Sequence, residues 1–324
     1  MNKAGILDIC YFLPDNIETN EFLVSDMKLS WSADDIFAKT GIKQRHIAKE
    51  AECASDLGVL AAEKLFALHE NLRDKIDFLL FCSQSPDYAL PATASLLQKR
   101  LGLSKECGSL DINQGCSGYI YGLALATGLI ESAVASNVLL ITAETYSKYI
   151  AKYDKQTRTI FGDGAAATLI QAKKCYAERL HSFVFGSDGR GKCNLIVPNS
   201  GARKEVRNDN HLFMDGPEIF QFALSVVPKT VRRILAQADL KLDDIDYFIF
   251  HQANAFMLEH LRNKLKISED KFFIDLTDTG NTVSASIPIA LCHARQNGIL
   301  HPGMKVMLLG FGVGYSWGGC IVSI

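Results

Sequence analysis

Short apolar runs alternate with helical patterns along the chain. The segments 77–82 (DFLLFC), 137–142 (NVLLIT), 246–250 (DYFIF) and 305–309 (KVMLL) are continuous rather than alternating. Runs of this kind predict strands covered on both faces. Between them, residues 57–70, 118–136 and 220–237 carry apolar or small residues at helical spacing. The order predicts an α/β protein with sandwiched sheets. Part of the pattern occurs twice. Residues 74–82 read DKIDFLLFC and residues 243–251 read DDIDYFIFH, so that Asp74 and Asp77 match Asp243 and Asp246. A glycine-led, small-residue helix follows in each half, GCSGYIYGLALATG from Gly115 and GNTVSASIPIALCHA from Gly280. The chain reads as a duplicated α/β unit, residues 1–173 and 174–324, with the boundary near 170–180. The polar tract 187–210 reads as a surface excursion.

Composition narrows the possible functions. Thirty-four basic against 36 acidic residues in 324 give a net charge of −2. That balance argues against a broadly basic nucleic-acid surface. No apolar run approaches the ~18 residues of a membrane span. The N-terminus reads as the start of the fold rather than a signal peptide. The nine cysteines are scattered and form no C-x-x-C pair. This points away from a zinc ribbon or disulfide scaffold and towards thiols in a reducing cytoplasm.

Three polar residues stand in settings suited to chemistry. Cys116 ends a polar segment just before a helix-compatible stretch. A thiol there lies near unpaired N–H groups and the positive end of the helix dipole. An ordinary thiol is only ~3% ionised at pH 7, and a helix terminus is expected to raise the thiolate about tenfold or more. Taken alone, Cys116 also fits a buried structural thiol. His251, in HQAN (251–254), follows a strand, where open α/β sheets place ligands; alone it fits a hydrogen-bonded core histidine. Asn281 follows Gly280 and alone fits a turn residue, while its amide can also donate to an oxyanion. The FGDG at 161–164 predicts a tight turn. The spaced glycines of GFGVG (310–314) lack the Lys-Ser/Thr ending of a phosphate-binding loop.

In this order, with TGIKQRH at 40–46, FGDG at 161–164 and GFGVGYSW at 310–317, these motifs closely resemble the β-ketoacyl-acyl-carrier-protein synthase III family of the thiolase superfamily. The resemblance runs nearly the full length. It implies a thiolase-like duplicated fold of α-β-α-β-α layers and a cytoplasmic homodimer. It also implies an acyl-CoA that acylates Cys116, followed by decarboxylative condensation with a malonyl thioester on acyl carrier protein. Coenzyme A enters as a thioester substrate, with no metal and no redox cofactor. His251 and Asn281 match the donors to the thioester enolate, and the N–H groups of Cys116 and Val313 match a second oxyanion hole. Lys39, Gly216, Phe220 and Asn254 match the CoA and pantetheine channel. Leu90 matches a residue that closes the partner's acyl pocket across the dimer.

The chain departs from the family pattern in places. Val313 replaces Gly, Leu90 replaces Phe and Lys39 replaces Arg. Asp35 stands in place of an adenine-stacking Trp, with Trp31 nearby. Gln221 and Phe256 replace carrier-docking cations, for which Arg262, Lys264 and Lys266 form a candidate substitute patch. These departures suggest a specialised pathway. The alternatives are an acyltransferase acting on an oxygen or nitrogen acceptor, a thiolase or hydroxymethylglutaryl-CoA synthase, for whose further acid/base Cys292 and Cys320 lack the expected glycine context and Glu144 stays open, and a non-catalytic partner subunit.

Overall fold

The computed structural model describes residues 3–173, 179–203 and 210–324. Five strands build the first sheet: β1 (Lys3–Phe12), β2 (Phe78–Cys82), β3 (Gly108–Ile112), β4 (Asn137–Glu144) and β5 (Gly164–Lys173). Their order is β1-β5-β4-β2-β3. Four more build the second: β6 (Leu180–Ser187), β7 (Tyr247–Phe250), β8 (Lys305–Gly312) and β9 (Ser316–Ser323), ordered β7-β8-β9-β6.

The two sheets share one plan. β2 and β4 are parallel, as are β7 and β8; β4–β5–β1 and β8–β9–β6 are antiparallel throughout. Where the first sheet adds β3 beside β2, the second has a single parallel bridge from Phe248 to Phe272. The repeated aspartates do the same work in each half. Asp77 donates its N–H to Asn137 O and accepts the Asn137 N–H on Oδ2. Asp246 pairs in the same two ways with Lys305. Each fixes the start of the neighbouring parallel strand. The boundary expected after residue 173 falls at 174–178, outside the described residues, as does 204–209 of the polar tract.

Two helices, α3 (Gly118–Glu131) and α6 (Ser286–Gln296), lie between the sheets and touch both. The outer faces are covered by α1 (Ala54–Leu68) and α2 (Thr93–Arg100) on the first sheet and by α4 (Gly216–Ala238) on the second. The result is five layers, α-β-α-β-α. A central core runs through Tyr119, Ile120, Leu123, Ile287 and Leu291, none more than 1% exposed. Such helices are small-residue-rich because both faces are enclosed.

Several expected boundaries shift for identifiable reasons. The helix expected over 118–136 ends at Glu131, because Ala133 turns left-handed at φ 61°. The helix expected from 220 begins at Gly216, capped by Asp215, whose side chain accepts the Glu218 N–H, with Pro at its first turn. The FGDG segment does not make the expected turn. Phe161 bridges to Asn281, and the buried Asp163 carboxylate accepts the N–H groups of Ala48 and Ser147. The polar tract is not wholly a surface feature either. Leu195, in a short strand Leu195–Ile196 paired with Phe213–Met214, is buried.

Candidate active site

Cys116 sits between the end of β3 and the start of α3, 5% exposed. Two glycines of β8 press against it. A Cβ on Gly310 would lie 2.6 Å from Cys116 O, and one on Gly312 would lie 2.7 Å from its Sγ. Only glycine allows a strand to pass this close. The first three residues of the GFGVG run are thus the end of strand β8, with the turn at Val313–Tyr315.

Burial pushes the Cys116 thiol up to about 12; the Val313 N–H opposes this, nearby Glu144 adds to it, and the Cys116 N–H opposes it. The expected gain in thiolate from the helix terminus does not appear, because α3 begins two residues later and burial outweighs its dipole. The resting nucleophile is a neutral thiol with two backbone N–H groups at its sulfur.

His251 follows β7, its N–H bonded to Leu309 O of the adjacent strand. Its Nδ1 is 2.7 Å from Ser286 Oγ at the start of α6, and Phe311 meets the ring edge-on at 5.7 Å. Burial lowers its pKa to about 3, opposed by the Val283 carbonyl, so the imidazole is neutral. Asn281 is held by its own turn. Oδ1 accepts the Val283 N–H at 2.9 Å, and Nδ2 donates to Ala253 O at 3.3 Å. An amide nitrogen carries two protons, so one N–H of Nδ2 is left for a ligand.

Cys116, His251 and Asn281 line one cavity of about 100 Å³, together with Gly216, Asn254, Phe311 and Gly312. Asn254 also caps α5 (Ala255–Leu265) by accepting the Met257 N–H. Leu195 of the polar tract and its strand partner Met214 line the same space. A larger open groove of about 590 Å³ shares Phe161 but is lined by the ion pairs of Arg158 with Glu18 and Asp26, and it holds none of the three.

The remaining expected residues lie outside this cavity. Val313 is next to it, its side chain against Gly115. Phe220 packs on Phe256 and His260, with ring centroids 5.5 and 5.4 Å away, and is absent from the lining. Lys39 is exposed on the helix Ala33–Thr40 and stands 5.1 Å from the Trp31 ring, with Lys155 at 4.8 Å from the same ring. Asp35 closes the capping box of that helix with Ser32. Leu90 is 82% exposed.

Arg262 does not serve the substitute patch expected of it. Its guanidinium is mostly covered and paired with Glu259 at 2.6 Å, leaving Lys264 and Lys266 exposed. Neither Cys292, Cys320 nor Glu144 lines the cavity, so none is placed for the acid/base role of a thiolase-type reaction. Ser286, which lies within the Asn281 motif, is the residue the sequence reading passed over; its hydroxyl stands 2.7 Å from His251 Nδ1. Among the described residues no cluster of three or more His, Cys, Asp or Glu is arranged to hold a metal ion, and no helix is long and apolar enough to cross a membrane.

Comparison with known proteins places this geometry. The family model for 3-oxoacyl-[acyl-carrier-protein] synthase III matches residues 110–189, and that for its C-terminal part matches 235–324. The β-ketoacyl-[acyl-carrier-protein] synthase III of Caldanaerobacter subterraneus subsp. tengcongensis is 36% identical over 99% of this chain and 97% of its own. The chain belongs to the β-ketoacyl-acyl-carrier-protein synthase III family. A crystal structure of a 3-oxoacyl-(acyl-carrier-protein) synthase III superposes with a TM-score of 0.97 at 48% identity, covering 99% of this chain and 100% of that one. The 3-oxoacyl-(acyl-carrier protein) synthase of Burkholderia xenovorans LB400 gives 0.93 at 37%, covering 99% and 94%. As a member of the synthase III family the chain is an acyl-transferring condensing enzyme. Cys116 lies in the first matched segment, and His251 and Asn281 lie in the second.

Proposed function

We propose that the enzyme is primed by an acyl-CoA on Cys116 and condenses that acyl group with a malonyl thioester carried by acyl carrier protein. The observation that carries this is the single cavity holding a thiol, a neutral imidazole and an amide with a free N–H. Cys116 Sγ attacks the thioester carbonyl, and the N–H groups of Cys116 and Val313 receive the oxyanion. Coenzyme A leaves as its thiol, taking the cysteine proton. The malonyl thioester then loses carbon dioxide, and the electron pair of the broken C–C bond becomes an enolate. Nε2–H of His251 and Nδ2–H of Asn281 donate to the enolate oxygen. The enolate carbon attacks the acyl-cysteine, and the Cys116 thiolate departs and takes a proton from solvent. Removing one such donor typically slows a reaction by about 10²–10³.

A neutral His251 donates from Nε2 only in the tautomer that leaves Nδ1 bare. The Ser286 hydroxyl selects that tautomer when it donates to Nδ1 instead of to the Val283 carbonyl 2.9 Å away. The exposed lysines Lys39 and Lys155 beside Trp31 offer cations to the nucleotide end of CoA, leaving Gly216 and Asn254 of the cavity lining to the pantetheine. The exposed Lys264 and Lys266 offer cations to the carrier protein. With Phe256 52% exposed and Gln221 beside Phe220, the docking face is less cationic than the family pattern, which favours a specialised pathway. Strand β3 ends the first sheet with an open edge and an exposed Leu110. We assign this edge to a homodimer contact that brings Leu90 towards the partner's acyl pocket.

The test is intact-protein mass spectrometry after brief exposure to acyl-CoAs, followed by malonyl-carrier protein. The expected result is a single acyl adduct on the wild type, none on Cys116→Ala, and release of the adduct as a β-ketoacyl product on addition of the malonyl thioester. An adduct that malonyl-carrier protein leaves in place would reject condensation.

A further inference from the structure

One fully buried carboxylate, that of Glu144 at the C-terminal end of β4, has no part in the chemistry above. It joins two segments of the site, 83–85 and 283–285. Oε1 accepts the Ser284 hydroxyl at 2.7 Å. Oε2 accepts the Ser85 hydroxyl and the Gln84 N–H, each at 3.1 Å. The Ser83 hydroxyl lies at 3.4 Å.

Each segment leads to a reacting group. Ser284 belongs to the single turn Val283–Ala285 between Asn281 and Ser286. Val283 in that turn has φ 53°, a conformation a β-branched residue adopts only when its surroundings enforce it. The Val283 N–H sets the direction of the Asn281 amide, and the Val283 carbonyl stands 2.9 Å from the Ser286 hydroxyl that meets His251 Nδ1. On the other side, the Gln84 side chain takes the Tyr146 hydroxyl at 2.7 Å and packs against Gly115, next to Cys116. All four groups that meet the carboxylate are able to donate, and the Gln84 backbone N–H can do nothing else.

We propose that Glu144 is a positioning residue whose ionised carboxylate clamps the strained Val283 turn, so that Asn281 and His251 point their N–H groups at the enolate. This rests on the condensation reading above. Protonation turns one acceptor into a donor and releases a partner. Burial raises the Glu144 carboxyl to about 8, opposed by its hydrogen bonds, so the clamp engages as pH rises through that value. The titratable groups facing it do not mask this. Cys82, Tyr146 and Tyr149 are all pushed upward by burial, Cys116 is capped by the acyl group, and His251 stays neutral.

The experiment uses enzyme pre-acylated on Cys116 and follows turnover of the adduct by malonyl-carrier protein from pH 6 to pH 9. The expected wild-type rate rises about tenfold across this range. Glu144→Gln presents an NH2 where acceptors are needed; its rate is expected to be flat with pH and at least tenfold lower at pH 9. Ser284→Ala, which cuts only the link to the strained turn, is expected to lower the same step, and the double variant to be little worse than Glu144→Gln alone. Glu144→Asp is expected to restore the pH-dependent limb in part. Acylation of Cys116 is the control, and it should change less than condensation in every variant. Equal loss of both steps with a lowered melting temperature would reduce Glu144 to a structural role and overturn the proposal. So would a Glu144→Gln profile matching the wild type. Failure of the wild type itself to turn over the adduct would instead strike the condensation reading.

Discussion

Gly312→Ala tests the closest contact in the site. The added Cβ would begin 2.7 Å from Cys116 Sγ and 2.8 Å from Cys116 Cβ. Ordinary contact needs about 3.5–4.0 Å, so something must yield by about 1 Å. The strand is the stiffer partner, because Gly312 pairs with Ser316 in β9 and β8 is held on its other side by β7 as far as Leu309. The sulfur therefore moves. Overpacking a dense core costs about 1–3 kcal/mol, and a displacement of about 1 Å at a reacting atom costs about 10² in rate. The assay pairs the rate of Cys116 acylation, by rapid quench and mass spectrometry, with thermal unfolding. Gly128→Ala is the control, since a Cβ there meets nothing within 4 Å and a helical Gly-to-Ala change stabilises by about 0.5–1 kcal/mol. A Gly312→Ala enzyme that acylates at the wild-type rate would refute the argument that β8 positions the thiol.

Alkylation of unacylated Cys116 by iodoacetamide should accelerate about tenfold per pH unit up to pH 10 with no plateau, because the thiol lies at about 12; a plateau below pH 9, read by peptide mass spectrometry, would mean a resting thiolate. Ser286→Ala should lower condensation by about 10² by freeing the wrong imidazole tautomer, with acylation less affected; equal rates in stopped-flow assays would remove Ser286 from the mechanism. Asp163 is raised to about 6 by burial, against its hydrogen bonds. The folded state thus holds its proton more tightly than the unfolded chain, and the stability this brings is complete below about pH 4 and lost as pH rises through about 6. Urea titrations should show the wild type losing stability relative to Asp163→Asn across that window, and parallel curves would contradict it. Leu110→Lys, at the open edge of β3, should convert a dimer to monomers in sedimentation; a monomeric wild type would cancel the dimer assignment.

The alternation of apolar runs and helices, and the doubling of the aspartate-led strands, were legible because they are local patterns with a period. Cys116, His251 and Asn281 were visible as separate motifs, each flanked by residues with a physical reason to be there. What was hidden depends on distance in the chain. Glu144 meets Ser284 across 140 positions, and nothing near either residue announces the contact. Leu195 and Met214 were masked by the polar residues around them, since short segments that dip into a cavity carry no periodicity. Two local rules failed where packing overrode them. The glycines of 310–314 suggested a loop but extend a strand because the Cys116 backbone occupies the space of their missing side chains. The helix start after Cys116 suggested an acidic thiol, yet enclosure of the sulfur dominates.

The nucleophile comes from one sheet's connections, while both enolate donors and the strand that covers the sulfur come from the other's. A ribosome that has released residues up to about 200 has made every strand of the first sheet and none of β7 or β8. At that stage Cys116 lacks Gly310 and Gly312 above it and stands open to oxidants and electrophiles. The same chain cannot decarboxylate malonyl thioesters, because no His251 or Asn281 has yet arrived. Completion of the second sheet both shelters the thiol and switches on its use, so a truncated or half-folded chain is chemically vulnerable but catalytically silent.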